Sequence, residues 1–308
     1  MARLSFILSL MTDKNAYQRD QAAAAKEVAR RMDVDLQVFF AESDAVTQSE
    51  QLLKAIQSPE GSRPNGIVCQ PIGTPLERVA REAATRGIGW ALINREADYL
   101  SDLRRLHNVP AFSIILDQEE IGRIQGRQFA ALLPNGGNML YIIGPSMNPV
   151  FKLRQAGMHA TKPENIQVIT LRGALTEESG YQAVSSWLRL PTSRTKRLDL
   201  IASQNDDMTM GARRAFEETL GAGERDRWAS LPYTGCDACK GAGADWIRVG
   251  TLTASVFLSP TAGLALETLV RAIEGKTPPP LRRVIAPESR PPLEQLVEAG
   301  LKSAAVPR

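Results

Sequence analysis

Histidine is nearly absent from this 308-residue chain: there are two, His107 and His159. Cysteine is scarce at three residues, and aromatic residues contribute only 6%. Cys236 and Cys239 form one CxxC, but no second CxxC or pair of histidines completes a zinc set. Two ordinary thiols in a loop or at a helix start are therefore favoured over a redox pair, and no metal or cofactor is expected. Catalytic signatures are missing as well: there is no GxSxG, no P-loop, and no histidine placed beside a candidate serine and acid. Gly241-Ala242-Gly243-Ala244-Asp245-Trp246 starts like a dinucleotide fingerprint, but it lacks the third glycine and sits too late to open a first βαβ unit. The adjacent carboxylates Glu177-Glu178 and Asp206-Asp207 suit helix N-termini better than acid–base chemistry. The expectation is a protein that is not an enzyme.

An excess of one charge is also lacking. The formal net charge is +3, and the basic pairs Arg30-Arg31, Arg104-Arg105, Lys196-Arg197 and Arg282-Arg283 are scattered. That pattern argues against nucleic-acid binding. No apolar run approaches the length of a membrane span. The stretch Arg3 to Leu10 is apolar but short, and no small-residue cleavage site precedes Thr12-Asp13-Lys14-Asn15. It reads as a buried first strand. The expectation is a cytoplasmic chain, or a periplasmic one whose signal has been removed.

What is present is an ordinary globular composition, 43% apolar and 23% charged, in a chain long enough for two domains. Strand and helix patterns alternate from end to end. Ala25, Val28, Ala29 and Met32 share one helical face. Strands are expected at Leu36–Phe40, Gly66–Gln70, Trp90–Asn94 and Phe112–Leu116. Thr47 with Glu50, and Thr74-Pro75-Leu76-Glu77, have capping-box spacing, and Gly87 ends the helix carrying Leu76, Val79, Ala80 and Ala83. After Asp117 the rhythm restarts. Strands are expected at Met139–Ile143, Val168–Leu171, Leu198–Ala202, Ala229–Tyr233 and Thr253–Phe257. Helices are expected around Ile121–Phe129, Arg154–Ala160, 176–188 and 207–220. A helix at Ala262–Ile273, a stiff Thr277-Pro278-Pro279-Pro280 linker, a strand at Val284–Ile285 and a helix at Pro292–Ala299 finish the chain. The fold class is α/β, two similar doubly wound parallel-sheet lobes.

The richest stretch is Ile201 to Ala212. An apolar run ends in Gln204-Asn205-Asp206-Asp207 and a helical pattern follows at once, as where a parallel strand delivers polar groups to its carboxyl edge. Asp206 or Asp207 is expected to cap the helix, leaving Asn205 to present a donor and an acceptor to a ligand.

Several such motifs fall in order: Ser9 to Tyr17, Gln70-Pro71, Asn94-Arg95, Asp117, Gly144-Pro145-Ser146 with Arg154-Gln155-Ala156-Gly157, Asn205-Asp206-Asp207-Met208, and Gly235-Cys236-Asp237. In this the sequence resembles the type I periplasmic sugar-binding proteins of the ribose-binding kind. The ligand domain of lactose-repressor-type regulators shares that fold. The resemblance implies an N-terminal lobe of 1–116 plus 259–284 and a C-terminal lobe of 117–258 plus 285–308. A three-strand hinge would cross near 116–118, 256–260 and 282–287, with the ligand cleft between the lobes.

It also implies a ligand set of Asn15, Tyr17, Gln70, Asn94, Arg95, Arg154, Asn205 and Asp237. Arg95 and Arg154 would pair with vicinal hydroxyls, unless they are simply solvated or salt-bridged. Asn205 and Asp237 would hold further hydroxyls, unless they serve caps and turns. Tyr17 would lie against the sugar ring or pack on the lobe, and Trp187, Trp228 and Trp246 are expected to pack rather than stack on ligand. Asn94 stands where many relatives carry aspartate, Gln70 where many carry asparagine, and Cys236 where an aromatic is common. Leu258 stands near a position that often bears an amide, and the first loop lacks the usual adjacent aromatics. These departures point away from ribose, toward another monosaccharide, a polyol or a non-sugar small molecule. Three roles fit: the solute-binding component of a sugar ABC transporter, recognised by a membrane permease; a cytoplasmic sensor read by a signalling protein; or a regulator ligand domain without its DNA-binding part. A monomer is expected.

Overall fold

In the computed structural model the described residues are 3–304, apart from 74–75, 146–148, 194–195, 220–227 and 276–278. The expected Thr74-Pro75 helix start, Ser146 and part of the 277–280 linker therefore lie outside the described residues. Contacts divide the chain into two units, Met1–Leu116 with Ser259–Ile285 and Asp117–Leu258 with Ala286–Arg308.

Unit 1 is built on a six-stranded parallel sheet. Its strands are β1 (Ser5–Leu10), β2 (Asp35–Phe40), β3 (Gly66–Cys69), β4 (Gly89–Ile93), β5 (Ala111–Leu116) and β11 (Arg282–Ile285), in the order β11-β5-β4-β3-β1-β2. The central strands are apolar on both faces, as a sheet covered by helices on both sides requires. Phe6, Leu8 and Leu10 face α1 (Ala16–Arg31) and the helix Thr261–Ile273, packing with Ala25, Val28, Leu266 and Leu269. Ile7, Ile67 and Trp90 face the other way, toward Leu52 and Ile56 of α2 (Ala45–Ile56), Ala80 of α3 (Glu77–Thr85) and Leu103 of α4 (Tyr99–His107).

Two local expectations change here. α2 is capped by Asp44, whose carboxylate accepts from Thr47 N at 2.8 Å and Thr47 Oγ1 at 2.7 Å. Thr47 is thus the capped residue and not the cap. The helix α4 was not expected between the fourth and fifth strands. Its Leu100 and Leu103 complete the core on that face, and Asn108 ends it in the left-handed conformation, φ 53°.

Unit 2 contains a four-stranded parallel sheet of β6 (Gly137–Ile143), β7 (Ile166–Arg172), β8 (Leu200–Ser203) and β9 (Tyr233–Thr234), in the order β7-β6-β8-β9. An antiparallel pair, β10 (Ser255–Phe257) with β12 (Glu288–Arg290), lies beyond it in sequence. Its helices are α5 (Gln118–Leu132), α6 (Pro149–Thr161), α7 (Glu177–Leu188), α8 (Asp206–Thr219) and α9 (Gly243–Arg248). With the Thr261–Ile273 helix as α10, the last is α11 (Leu293–Ala304). The expected strand Ala229–Tyr233 shrinks to two residues because Leu231 N turns back to Trp228 O, and Trp228 is stacked on Phe216 with centroids 4.4 Å apart. Trp187 joins the same cluster, and Trp246 packs on it partly buried.

α5 and α6 meet backbone to backbone. A Cβ at Gly122 would fall 1.9 Å from the Arg154 carbonyl oxygen, and one at Gly157 2.0 Å from that of Glu119. Only glycine permits this approach, and it fixes where Arg154 stands. Among the described residues no helix is long and apolar enough to cross a membrane.

Candidate ligand site

Polar residues collect where the parallel strands of each unit end, the edge at which α/β sheets place ligands. In unit 1 Asn15 follows β1 and caps α1, its Oδ1 accepting from Gln18 N at 2.9 Å. Gln18 then donates from Nε2 to Gln70 Oε1 at 3.0 Å, while Gln70 Nε2 donates to Met11 Sδ. Asn94, after β4, adopts φ 58° and donates from Nδ2 to the Tyr17 hydroxyl at 2.9 Å. Its Oδ1 lies 3.5 Å from Thr261 Oγ1. Tyr17 is buried against this edge rather than standing on the unit's surface. Arg95 is half-buried and takes part in none of these contacts. Burial alone lowers its guanidinium pKa.

Unit 2 gathers Arg154, Asn205 and Asp237 more tightly. Arg154 is only 6% exposed, and among the described residues it makes no ion pair. Its Nε donates to Gln118 Oε1 at 2.8 Å and its Nη1 to the Gln204 carbonyl at 2.9 Å, with Cys236 Sγ at 3.5 Å. The guanidinium carbon lies 5.5 Å from the centroid of the Phe151 ring. Nη2 has no protein partner among the described residues. Gln204 is itself held by Gly144 N, which donates to its Oε1, and by the Phe151 carbonyl, which accepts from its Nε2.

The cap of α8 differs from expectation. Asn205 is the cap: its Oδ1 accepts from Met208 N at 2.9 Å, and its Nδ2 donates to Asp237 Oδ2 at 3.1 Å. Asp206 turns inward, accepting from Ala238 N at 2.6 Å and Ser255 Oγ at 2.7 Å. Its carboxylate fills the space that a Cβ at Gly235 or Gly243 would take, each 2.0 Å away. Within the Gly241-Ala242-Gly243 sequence it is Gly243 that packs on the Asp206 carboxylate. Burial raises the Asp206 carboxyl from 3.8 to about 7. Asp237, at φ 123°, is likewise raised well above 3.8, by burial first and then by Asp206. Burial outweighs the nearby Arg154 charge and raises the Cys236 thiol. All three cysteines are buried and none is in a disulfide. Among the described residues no cluster of histidine, cysteine, aspartate and glutamate could hold a metal.

Sequence reasoning did not single out Gln18, Gln118, Thr261 or the inward role of Asp206. Gln18 had a usable signal, lying three residues past the Asn15 cap. Gln118 had none, since α5 meets Arg154 only through the α5–α6 packing.

The doubly wound units with polar strand edges define an α/β protein of the periplasmic-binding type I class. A family model for the periplasmic binding protein domain matches residues 6–277, and the chain belongs to that family. It is 27% identical over 199 residues to a Rhizobium meliloti protein described as a "putative rhizopine-binding protein". That match spans 62% of this chain and 60% of the relative's length. An Actinobacillus succinogenes ABC transporter periplasmic solute-binding protein with bound D-allose is similar at TM-score 0.77 and 18% identity, over 96% of this chain and all of that one. A Bacillus halodurans ABC transporter solute-binding protein with bound myo-inositol gives TM-score 0.74 and 20% identity, over 97% and 98%. At such identities the likeness is one of fold.

Proposed function

We propose that the chain is the non-catalytic solute-binding component of a sugar uptake transporter, working in the periplasm and delivering its ligand to a membrane permease. The two units close on one monosaccharide or polyol, which takes hydrogen bonds from both polar strand edges. Arg95, Asn94, Gln70 and Asn15 serve one side, with the Tyr17 ring against C–H groups. Arg154, Asn205 and Asp237 serve the other.

The observation that carries this reading is the Arg154 guanidinium. It is buried at a strand edge, fixed by two neutral oxygens, with Nη2 uncommitted among the described residues. A charged donor held in place in this way is set to donate to a ligand oxygen. Beside it, Asn205 and Asp237 hold each other through one bond, leaving the second Asp237 oxygen for a hydroxyl. Family membership and the D-allose and myo-inositol carried by similar folds support a polyhydroxylated ligand. Micromolar affinity corresponds to about −8 kcal/mol, within reach of several such bonds and one stacked ring.

A thermal-shift screen against pentoses, hexoses and polyols tests the reading, because a ligand that binds only the native state raises the melting temperature by mass action. The expected result is a shift with one member that Arg154→Ala abolishes. A shift unaffected by Arg154→Ala places the site elsewhere.

A further inference from the structure

Among the described residues Arg95, at the edge of unit 1, is a cation with no anionic partner. Arg95 lies two residues past the end of β4, half-buried. Among the described residues no hydrogen bond or ion pair involves its guanidinium, and burial is the one influence on its pKa. Its neighbours in the chain do not compensate. Glu96 is committed to Arg282 at 2.7 Å, and Asp98 lies exposed at the start of α4. The polar side chains that bond one another around Asn94, namely Asn15, Tyr17, Gln18 and Gln70, are neutral, and the carboxylates elsewhere on this edge, Asp44 and Glu42, are bonded to Thr47 and Lys14. A desolvated guanidinium is ordinarily matched by a carboxylate or phosphate, and a neutral hydroxyl satisfies its N–H groups without balancing its charge.

We propose that the ligand presents a carboxylate to Arg95, which makes the substrate class acidic sugars: uronates or aldonates. The guanidinium fork takes the two carboxylate oxygens side by side. Asn94, its amide donor already given to Tyr17, leaves the cation unneutralised until the ligand arrives. An aspartate at 94 would supply an internal counter-charge, so Asn94 sets the charge preference. This inference rests on the proposed ligand site.

Calorimetric titration with matched pairs tests it: D-galacturonate against D-galactose, D-glucuronate against D-glucose, and D-gluconate against D-glucitol. For one pair the acid is expected to bind at least tenfold tighter than its neutral parent. Arg95→Ala removes that advantage, and Arg95→Lys keeps part of it. Asn94→Asp weakens the acid at least tenfold more than it weakens the neutral parent. Aspartate tolerates the left-handed backbone at 94, and circular dichroism checks that each variant folds. Equal or tighter binding of the neutral parents, or an acid preference that survives Arg95→Ala, overturns the charge assignment and leaves the sugar-binding reading standing. If the folded protein binds neither acids nor neutral parents, both fall together.

Discussion

Replacing Asp206 with asparagine should remove a pH dependence that burial has built into unit 2. The carboxyl is 2% exposed, and its pKa stands at about 7 against an ordinary 3.8. A group whose folded pKa is raised binds its proton more tightly in the native state. Its contribution to stability is therefore complete below about pH 4 and lost progressively as pH rises through about 7. The span from 3.8 to about 7 is worth about 4 kcal/mol at most, at about 1.4 kcal/mol per pH unit. Asparagine keeps the geometry: its Oδ1 can accept from Ala238 N, and its Nδ2 can donate to Ser255 Oγ, which accepts as readily as it donates. Asp206→Asn should thus match wild type near pH 4 to within about 1 kcal/mol, and exceed it by roughly 1.6 kcal/mol at pH 5 and by up to about 4 kcal/mol at pH 8. Urea unfolding followed by tryptophan fluorescence is the assay, since three of the four tryptophans, Trp187, Trp228 and Trp246, belong to unit 2. Parallel pH profiles for the two proteins, or wild-type stability that rises from pH 5 to pH 8, would refute the reasoning.

Other perturbations read other parts of the structure. Arg154→Ala strips donors from Gln118 and Gln204 and should cost about 1–3 kcal/mol while leaving a cooperative thermal transition with no ligand response. Gly157→Ala forces a methyl group against the Glu119 carbonyl and should lower stability by about 3 kcal/mol, read in urea. Gly61→Ala, where nothing lies within 4 Å, is the control expected to stay within about 0.5 kcal/mol. Native Cys69, held up to about 12 by burial, and buried Cys236 and Cys239 should resist Ellman's reagent at pH 8 and react once unfolded. Rapid modification of any of them in the native protein would contradict their burial.

The strand edges were legible in the sequence because buried parallel strands read as apolar runs that break into polar residues. Cys69 to Gln70, Ile93 to Asn94 and Ser203 to Gln204 are such breaks. The helices were legible where one face repeated over several turns, as from Ala25 to Met32. What stayed hidden is tertiary. The choice between Asn205 and Asp206 as cap depends on the Gly235 and Gly243 backbone, which leaves room for a carboxylate only when the 235–243 loop folds back. Thr47 and Glu50 imitate a capping box, yet Asp44 lies three residues earlier and is the stronger acceptor. The seat of Arg154 follows from Gly122 and Gly157 meeting across two helices, a contact no local pattern encodes. Arg95 was legible as a candidate, but that it has no partner among the described residues is a property of the folded edge.

The central claim is that one small ligand is held by the polar strand edges of both units. The most direct measurement is a crystal structure with whichever saccharide gives the greatest thermal shift. The account predicts a single molecule bonded to Arg154, Asn205 and Asp237 on one side and to Arg95 on the other. A ligand bound away from these residues, or bonded to one unit alone, would contradict it.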